Sequence, residues 1–474
     1  MLQHAYPAEG HPRGRAGFQR SAYFGLTLTE MFSTGMAATI APAGCPMFHC
    51  TAEATGLVYQ PLIQTVIASN SNNSLGSLLA QGCSGNGSTL SCLFSTDSVT
   101  DNARGTLKLL NATTLQPIWG SAAAPNSYNL DASAAYAQVP LNFADGSIAA
   151  GDASYHVLYD SSGSVIGKMS LGGKNMNLGL TPISATYGVV SQADGVLTLV
   201  NMTTWQNAGT LTLRDPQTKV SIHLVSPSSG TSNTLYAVGQ NTKNGNGFLF
   251  SVVLKQATHR LALRSTFAFK GASGATPVVV TPNVSGLPTN LILLHVPGLI
   301  GDPQPQDRLL GLSDSASTGL AQSWAIPLMG PLIVAATVDQ GSNSLFYENG
   351  ATIYQNSLIT GDAINAFNLQ LIGGFPAPFL LNGHVGASQI GSVFTLLLAG
   401  KYTASQGSGG AQYVMAFQPI ASPAALLWAS QIFKVQTGNA DAWNFAPSTQ
   451  PGVVCPIAIV HVNGKSSIVR VCDF

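Results

Sequence analysis

The stretch GTLKLLNATTLQPIW, from Gly105 to Trp119, sets the pattern that decides the fold. An opening glycine leads into a short leucine-rich strand. Six residues on stands Asn111, whose short polar side chain can bond the backbone two residues ahead and close a turn into the next strand. Thr114 follows, and Trp119 stands near the start of the succeeding strand.

Working outward, comparable units open at Gly146, Gly195, Gly247, Arg308, Gly350, Gly410 and Gly464. Turn-forming residues recur at the same offset, as Asp152, Asn201, Asp314 and Asn356, and the tryptophan position returns as Trp324 and Trp428. Short strands between Gly, Asp-Gly and Asn-Gly turns fill the chain, so the class is all-β. The openings lie 41 to 61 residues apart with a mean near 51. Such a period suits four-stranded propeller blades better than the coils of a compact solenoid. The expectation is one β-propeller domain over residues 45–474, with eight blades and seven as the alternative count.

The unit from Gly105 to Trp119 resembles the repeat of the quinoprotein-like β-propellers, which include pyrroloquinoline quinone dehydrogenases and many non-enzymatic binding and assembly propellers. CPMFHCTAEATGLV, from Cys45, resembles the start of the first blade in that superfamily. The resemblance implies that Trp119, Trp324 and Trp428 dock between neighbouring blades, which is also what a large aromatic at a strand end is expected to do. For an active family member it further implies a quinone under a disulfide of adjacent cysteines, and a calcium ion with Glu, Asn and Asp ligands. The chain has no adjacent cysteines, and its only glutamates are Glu9, Glu30, Glu53 and Glu348. No cofactor and no catalytic residue is therefore expected. Cys45, His49 and Cys50 lack a fourth metal ligand, so a disulfide is the preferred reading there and no metal site is expected.

Composition narrows the function. The 474 residues carry 19 Lys plus Arg against 19 Asp plus Glu, with 45% hydrophobic residues. That excludes a disordered chain and an electrostatic binder of nucleic acid. No apolar run is long enough for a transmembrane helix. Residues 1–44 place Arg13, Arg15 and Arg20 before an apolar stretch, in the order of a secretory signal; the competing reading is an N-terminal arm.

Six cysteines form three sequence-local pairs: Cys45 with Cys50, Cys83 with Cys92, and Cys455 with Cys472. The last pair has a geometric basis. Asn463-Gly464 is a preferred two-residue hairpin turn, and the two cysteines stand eight residues to either side of it. They fall at a non-hydrogen-bonded pair, where side chains approach most closely. Disulfides imply an oxidising compartment, and five sequons, at Asn72, Asn86, Asn111, Asn201 and Asn283, would suit N-glycosylation.

The expected function is a non-enzymatic secreted or cell-surface propeller, periplasmic or lipid-anchored in a bacterium, working by protein contact or self-association with an unknown ligand. The rival is a quinoprotein-like oxidoreductase or a carbohydrate-acting enzyme with a degenerate site. Peptide mapping of non-reduced protein should recover Cys455 linked to Cys472, and the link should stabilise by about 3 kcal/mol through loop closure. Finding either as a free thiol would remove the pair.

Overall fold

A computed structural model describes most of the chain from residue 79 to residue 472, together with strands Leu57–Val58 and Ala68–Asn72. Residues 1–56, the ends 473–474 and several loops, among them 96–103, 120–127, 299–305, 329–335 and 404–409, lie outside the described residues. The expected pair Cys45 and Cys50, the signal-or-arm reading of residues 1–44, and Asn283 fall there.

Hydrogen bonding gathers the described strands into eight sheets. In chain order they occupy residues 79–133, 141–170, 176–212, 223–270, 278–327, 337–368, 379–433 and 439–472, and are called the first to the eighth sheet below. Each is an antiparallel meander of four strands, extended in the fourth and seventh sheets by a first strand split into two pieces. The fold is a β-propeller. Strand Ala68–Asn72 pairs with Ile468–Cys472 and completes the eighth sheet, so a strand from before the first sheet closes the last. Leu57–Val58, at the end of the stretch read as the start of the first blade, instead pairs in parallel with Ala387–Ser388 of the seventh sheet.

Each unit-opening residue of the sequence falls in a different sheet. Seven open the third strand of the meander: Gly105, Gly195, Gly247, Arg308, Gly350, Gly410 and Gly464 stand at or just before strands that pair in that position. Gly146 departs, because its turn opens the second strand, Ile148–Gly151. The third-to-fourth turn of that sheet is instead built on Asp160, whose Oδ1 accepts from the backbone N–H of Ser162 and Ser164 at 2.9 and 2.8 Å. The DG dipeptide is a strong hairpin signal wherever it occurs, so it does not mark a fixed strand.

The turn predicted from Asn111 forms as expected. Asn111 Oδ1 accepts from the backbone N–H of Thr113 and Thr114, both at 2.8 Å, and Leu115 N–H donates to Asn111 O at 2.8 Å. Asn201 repeats this with Thr203 and Thr204 at 2.9 and 3.1 Å, and Trp205 N–H donates to Asn201 O at 2.8 Å. The fifth residue of these turns lies in the left-handed region, with φ of 59° at Leu115 and 55° at Trp205. The side-chain oxygen satisfies two donors that the tight turn would otherwise leave unpaired.

Packing explains why the sheets stand face to face. In strand Thr234–Gln240, Leu235 and Ala237 join a cluster with Val189, Leu197 and Leu199 of the third sheet. Tyr236 and Val238 point the other way and pack with Ile292, Leu294 and Leu310 of the fifth. Side chains alternate across a strand, so one sheet buries both faces against two neighbours. Fourth strands escape this burial. Gln206–Thr212 and Ala363–Asn368 are largely exposed, whereas Ile148–Gly151, Val278–Val280 and Thr337–Asp339 are wholly buried.

Trp119 and Trp324 each donate across to the next sheet. Trp119 Nε1 donates to Ser161 O of the second sheet at 3.1 Å, and Trp324 Nε1 to Leu358 O of the sixth at 3.2 Å. Trp428 lies half-buried on the fourth strand of the seventh sheet. Trp205 makes a third such bridge that the pattern did not single out, donating to His156 O of the second sheet at 3.1 Å. The ring of Trp324 lies so close over Gly311 that a Cβ there would come within 2.1 Å of it. Replacing Trp324 by Phe should cost about 1 kcal/mol for the orphaned Leu358 carbonyl, and by Ala about 3–5 kcal/mol, read from denaturant unfolding. Equal stability in both variants would show that the ring does not dock the fifth sheet on the sixth.

Candidate functional site

Polar groups buried between sheets satisfy one another. Ser84 Oγ donates to Pro140 O at 2.5 Å, Thr181 Oγ1 to Pro227 O at 2.9 Å and Ser228 Oγ to Pro277 O at 2.5 Å. Pro140 and Pro277 immediately precede the first strand of the next sheet, and Pro227 precedes the second piece of that strand in the fourth sheet. Between the fourth and fifth sheets, Asp314 Oδ2 accepts from Tyr236 Oη at 2.7 Å, from Ser251 Oγ at 2.8 Å and from Arg264 Nη2. Burial, and then the negative charge of Asp314, push the Tyr236 hydroxyl above its ordinary pKa, so it remains a hydrogen-bond donor. Gln389 Nε2 donates to Asp339 Oδ1 at 2.6 Å between the seventh and sixth sheets. These groups are spent on cohesion and converge on no open site.

Titratable groups tell the same story. His295 Nε2 meets Asp307 Oδ2 at 3.0 Å across a hairpin, with Gly298 N–H on the other carboxylate oxygen at 2.8 Å. His156 is buried beneath Trp205, ring centroids 5.1 Å apart. Among the described residues no three His, Cys, Asp or Glu side chains gather as a metal site would need. Nor is any described helix long and apolar enough to cross a membrane.

Cys83 and Cys92 are directly opposite on paired strands and form the expected disulfide. The hairpin register Val462↔Lys465 through Ile457↔Arg470 is the one expected from the Asn463-Gly464 turn. Cys455 is disulfide-bonded; the Cys472 side chain lies outside the described residues. Asn86, Asn111 and Asn201 are half-buried. Asn86 Oδ1 accepts from the backbone N–H of Ser88 and Thr89 at 3.1 and 2.9 Å, so all three sequon asparagines build turns. Asn72 lies on a described strand, with its side chain outside the described residues.

The surface that stands out is carried by the segment that joins the sixth sheet to the seventh. Residues 363–381, AINAFNLQLIGGFPAPFLL, contain no charged side chain. They run from the outermost strand Ala363–Asn368 through the short helix Leu369–Ile372 to strand Phe379–Leu381. Leu371 is 77% exposed, Ile364 49% and Leu380 47%. The platform beneath is firm. Asn368 Oδ1 caps the helix by accepting from Leu371 N–H at 3.2 Å, and Leu369 and Leu381 N–H donate to Ala351 O and Gly350 O at 2.9 and 2.8 Å. Phe375 stacks on Phe379 with centroids 4.3 Å apart and reaches Tyr413 at 5.0 Å. Apolar groups held out in solvent on a fixed support are what an interaction surface requires. The missing charges were readable in the sequence; that Ile364, Leu371 and Leu380 stand exposed was not.

No protein family and no curated protein matches the chain. Solved structures of similar fold include a dihydro-heme d1 dehydrogenase, NirN, at 10% identity and TM-score 0.47, covering 77% of this chain and 71% of that one. A quinohemoprotein alcohol dehydrogenase from Comamonas testosteroni shares 10% identity with TM-score 0.45, covering 70% and 73%. BamB from Moraxella catarrhalis shares 10% identity with TM-score 0.42, covering 86% and 97%.

Burial pushes the His156 pKa down to about 3, so the native protein keeps this ring neutral. The unfolded chain takes up the proton near the ordinary value of about 6.5. Stability is therefore full above about pH 6.5 and falls as pH drops towards 3, by up to about 1.4 kcal/mol per unit. Replacing His156 by Phe should flatten the fall between about pH 6.5 and 5, where the histidine accounts for roughly 2 kcal/mol. An unchanged slope in urea melts would assign the acid sensitivity elsewhere.

Proposed function

We propose that this protein is a non-enzymatic secreted or cell-surface β-propeller that works by protein–protein contact, as a part of an extracellular assembly or scaffold. The observation that carries this reading is the uncharged face at residues 363–381, with Ile364, Leu371 and Leu380 held in solvent. Edge strands normally carry Lys, Glu or Pro that discourage pairing with another chain, and strand Ala363–Asn368 carries none. Its N–H and C=O groups on the side away from Thr352–Ser357 suit pairing with a neighbouring molecule. The Cys83–Cys92 disulfide fits an oxidising compartment. The chain's low charge, 8% with zero net, supplies little long-range repulsion to keep copies apart.

Sedimentation velocity over a concentration series tests the reading directly. The native protein should associate as concentration rises, and a double variant, Ile364→Lys with Leu371→Lys, should sediment as a monomer with an unchanged melting temperature. A native protein that stays monomeric throughout, or a double variant that associates equally well, would reject this face as the contact.

A further inference from the structure

The neutral chain hides a segregation of charge. Between residues 195 and 301 stand seven Lys or Arg residues and a single acid, Asp215, a local net charge of +6. The rest of the chain holds twelve Lys or Arg against eighteen Asp or Glu and cancels it. The basic stretch covers the outer part of the third sheet, all of the fourth and the first two strands of the fifth.

The fold concentrates these cations. Asn241 and Asn244, in the turn before strand Asn246–Lys255, donate to Asp215 Oδ2 at 2.7 and 3.2 Å. That contact sets Lys243 beside the 214–219 turn. The register then pairs Asn246 with Lys270, so Arg214, Lys219, Lys243 and Lys270 meet at one end of the fourth sheet, all on exposed residues. Lys255 and Arg260 face each other at the opposite end. Arg264, the extra residue of a bulge, is taken up by Asp314 of the fifth sheet.

Asp215 lines the cleft and keeps its negative charge, but its oxygens are occupied by donors of the protein itself. Its Oδ1 accepts from the backbone N–H of Gln217 and Thr218 at 2.8 and 3.1 Å, while Oδ2 takes the two asparagines. All its acceptor capacity is turned inward. Arg214 and Lys219 are each steadied by one backbone carbonyl, of Lys219 at 3.1 Å and of Pro216 at 2.7 Å. A guanidinium has five N–H donors and an ammonium three, so both retain donors for a ligand.

Beneath this rim, between strands Gln206–Thr212 and Arg260–Lys270, lies a cleft of about 540 Å³. Its walls combine amide and hydroxyl groups, from Gln217, Asn246, Thr212 and Thr266, with the exposed apolar side chain of Leu263. Fixed cations select an anion, amides and hydroxyls suit a polyol, and an apolar patch suits the C–H face of a sugar ring. A single-stranded nucleic acid would instead call for exposed aromatic platforms, and Phe248 is buried.

We propose that the cleft between the third and fourth sheets binds an acidic saccharide, a sugar chain bearing carboxylate or sulfate groups, with Arg214 and Lys219 taking the anionic group. This site is separate from the contact face of the sixth and seventh sheets, and neither depends on the other.

Titration of the full-length, oxidised protein with polygalacturonate oligomers and sulfated dextran fragments at physiological ionic strength tests it, with neutral dextran and polyglutamate as controls. At least one acidic saccharide should bind, with neutral dextran silent and polyglutamate much weaker. Arg214→Ala with Lys219→Ala should weaken binding by roughly tenfold or more, as loss of charge-assisted hydrogen bonds does. Lys255→Ala with Arg260→Ala, at the far end of the sheet, should leave binding unchanged. Both pairs sit on exposed residues, so melting temperatures should match the native protein. No binding to either acidic saccharide, equal binding of polyglutamate, or undiminished affinity in the Arg214 and Lys219 variant would each overturn the proposal.

Discussion

Burial of both faces of every sheet is the constraint on which the rest of this molecule depends. A sheet with Leu235 and Ala237 on one side and Tyr236 and Val238 on the other cannot stand in water on either side. It needs a neighbour on each, and each neighbour needs another. An open row would leave two apolar faces bare at its ends. The ends of this row meet in the eighth sheet: Ala68–Asn72, from before the first sheet, completes it by pairing with Ile468–Cys472.

That constraint also governs the polar groups. Hydroxyl and carboxylate side chains between sheets must find partners there, because water is excluded. The hydroxyls of Ser84, Thr181 and Ser228 clasp proline carbonyls on the following sheet, and Asp314 gathers donors from the fourth. Tryptophans do both jobs at once, filling the space between sheets while their N–H groups bond across it. Such contacts use up much of the chain's chemistry. What remains for partners lies on the outer strands, the ones that the packing leaves exposed.

Two outer surfaces differ in kind. The sixth and seventh sheets present an uncharged apolar face, while the fourth gathers cations around a cleft. A propeller can offer both because each outermost strand is edge-exposed and answers to its own neighbours alone. Changes in one surface need not disturb the other, so the protein contact and the ligand binding proposed above are separable.

The sequence by itself determined the class, the repeat and, in every unit but the one opened by Gly146, its phase. Turn chemistry is local: Asn111 bonds Thr113 and Thr114 whatever lies beyond, so Asn-x-x-Thr marked the end of a third strand reliably. The hairpin register at the C-terminus was likewise fixed by its two-residue turn, and an opposed cysteine pair at Cys83 and Cys92 by the closeness of the two residues along the chain. Tertiary structure alone decided the rest. Trp205 bridges back to the second sheet because its left-handed turn swings it there, and no spacing rule announces that direction. The pairing of Leu57–Val58 with the seventh sheet, and the meeting of Arg214, Lys219, Lys243 and Lys270, join residues far apart in sequence. Contacts of that kind are set by how whole sheets stack, which local propensity does not encode.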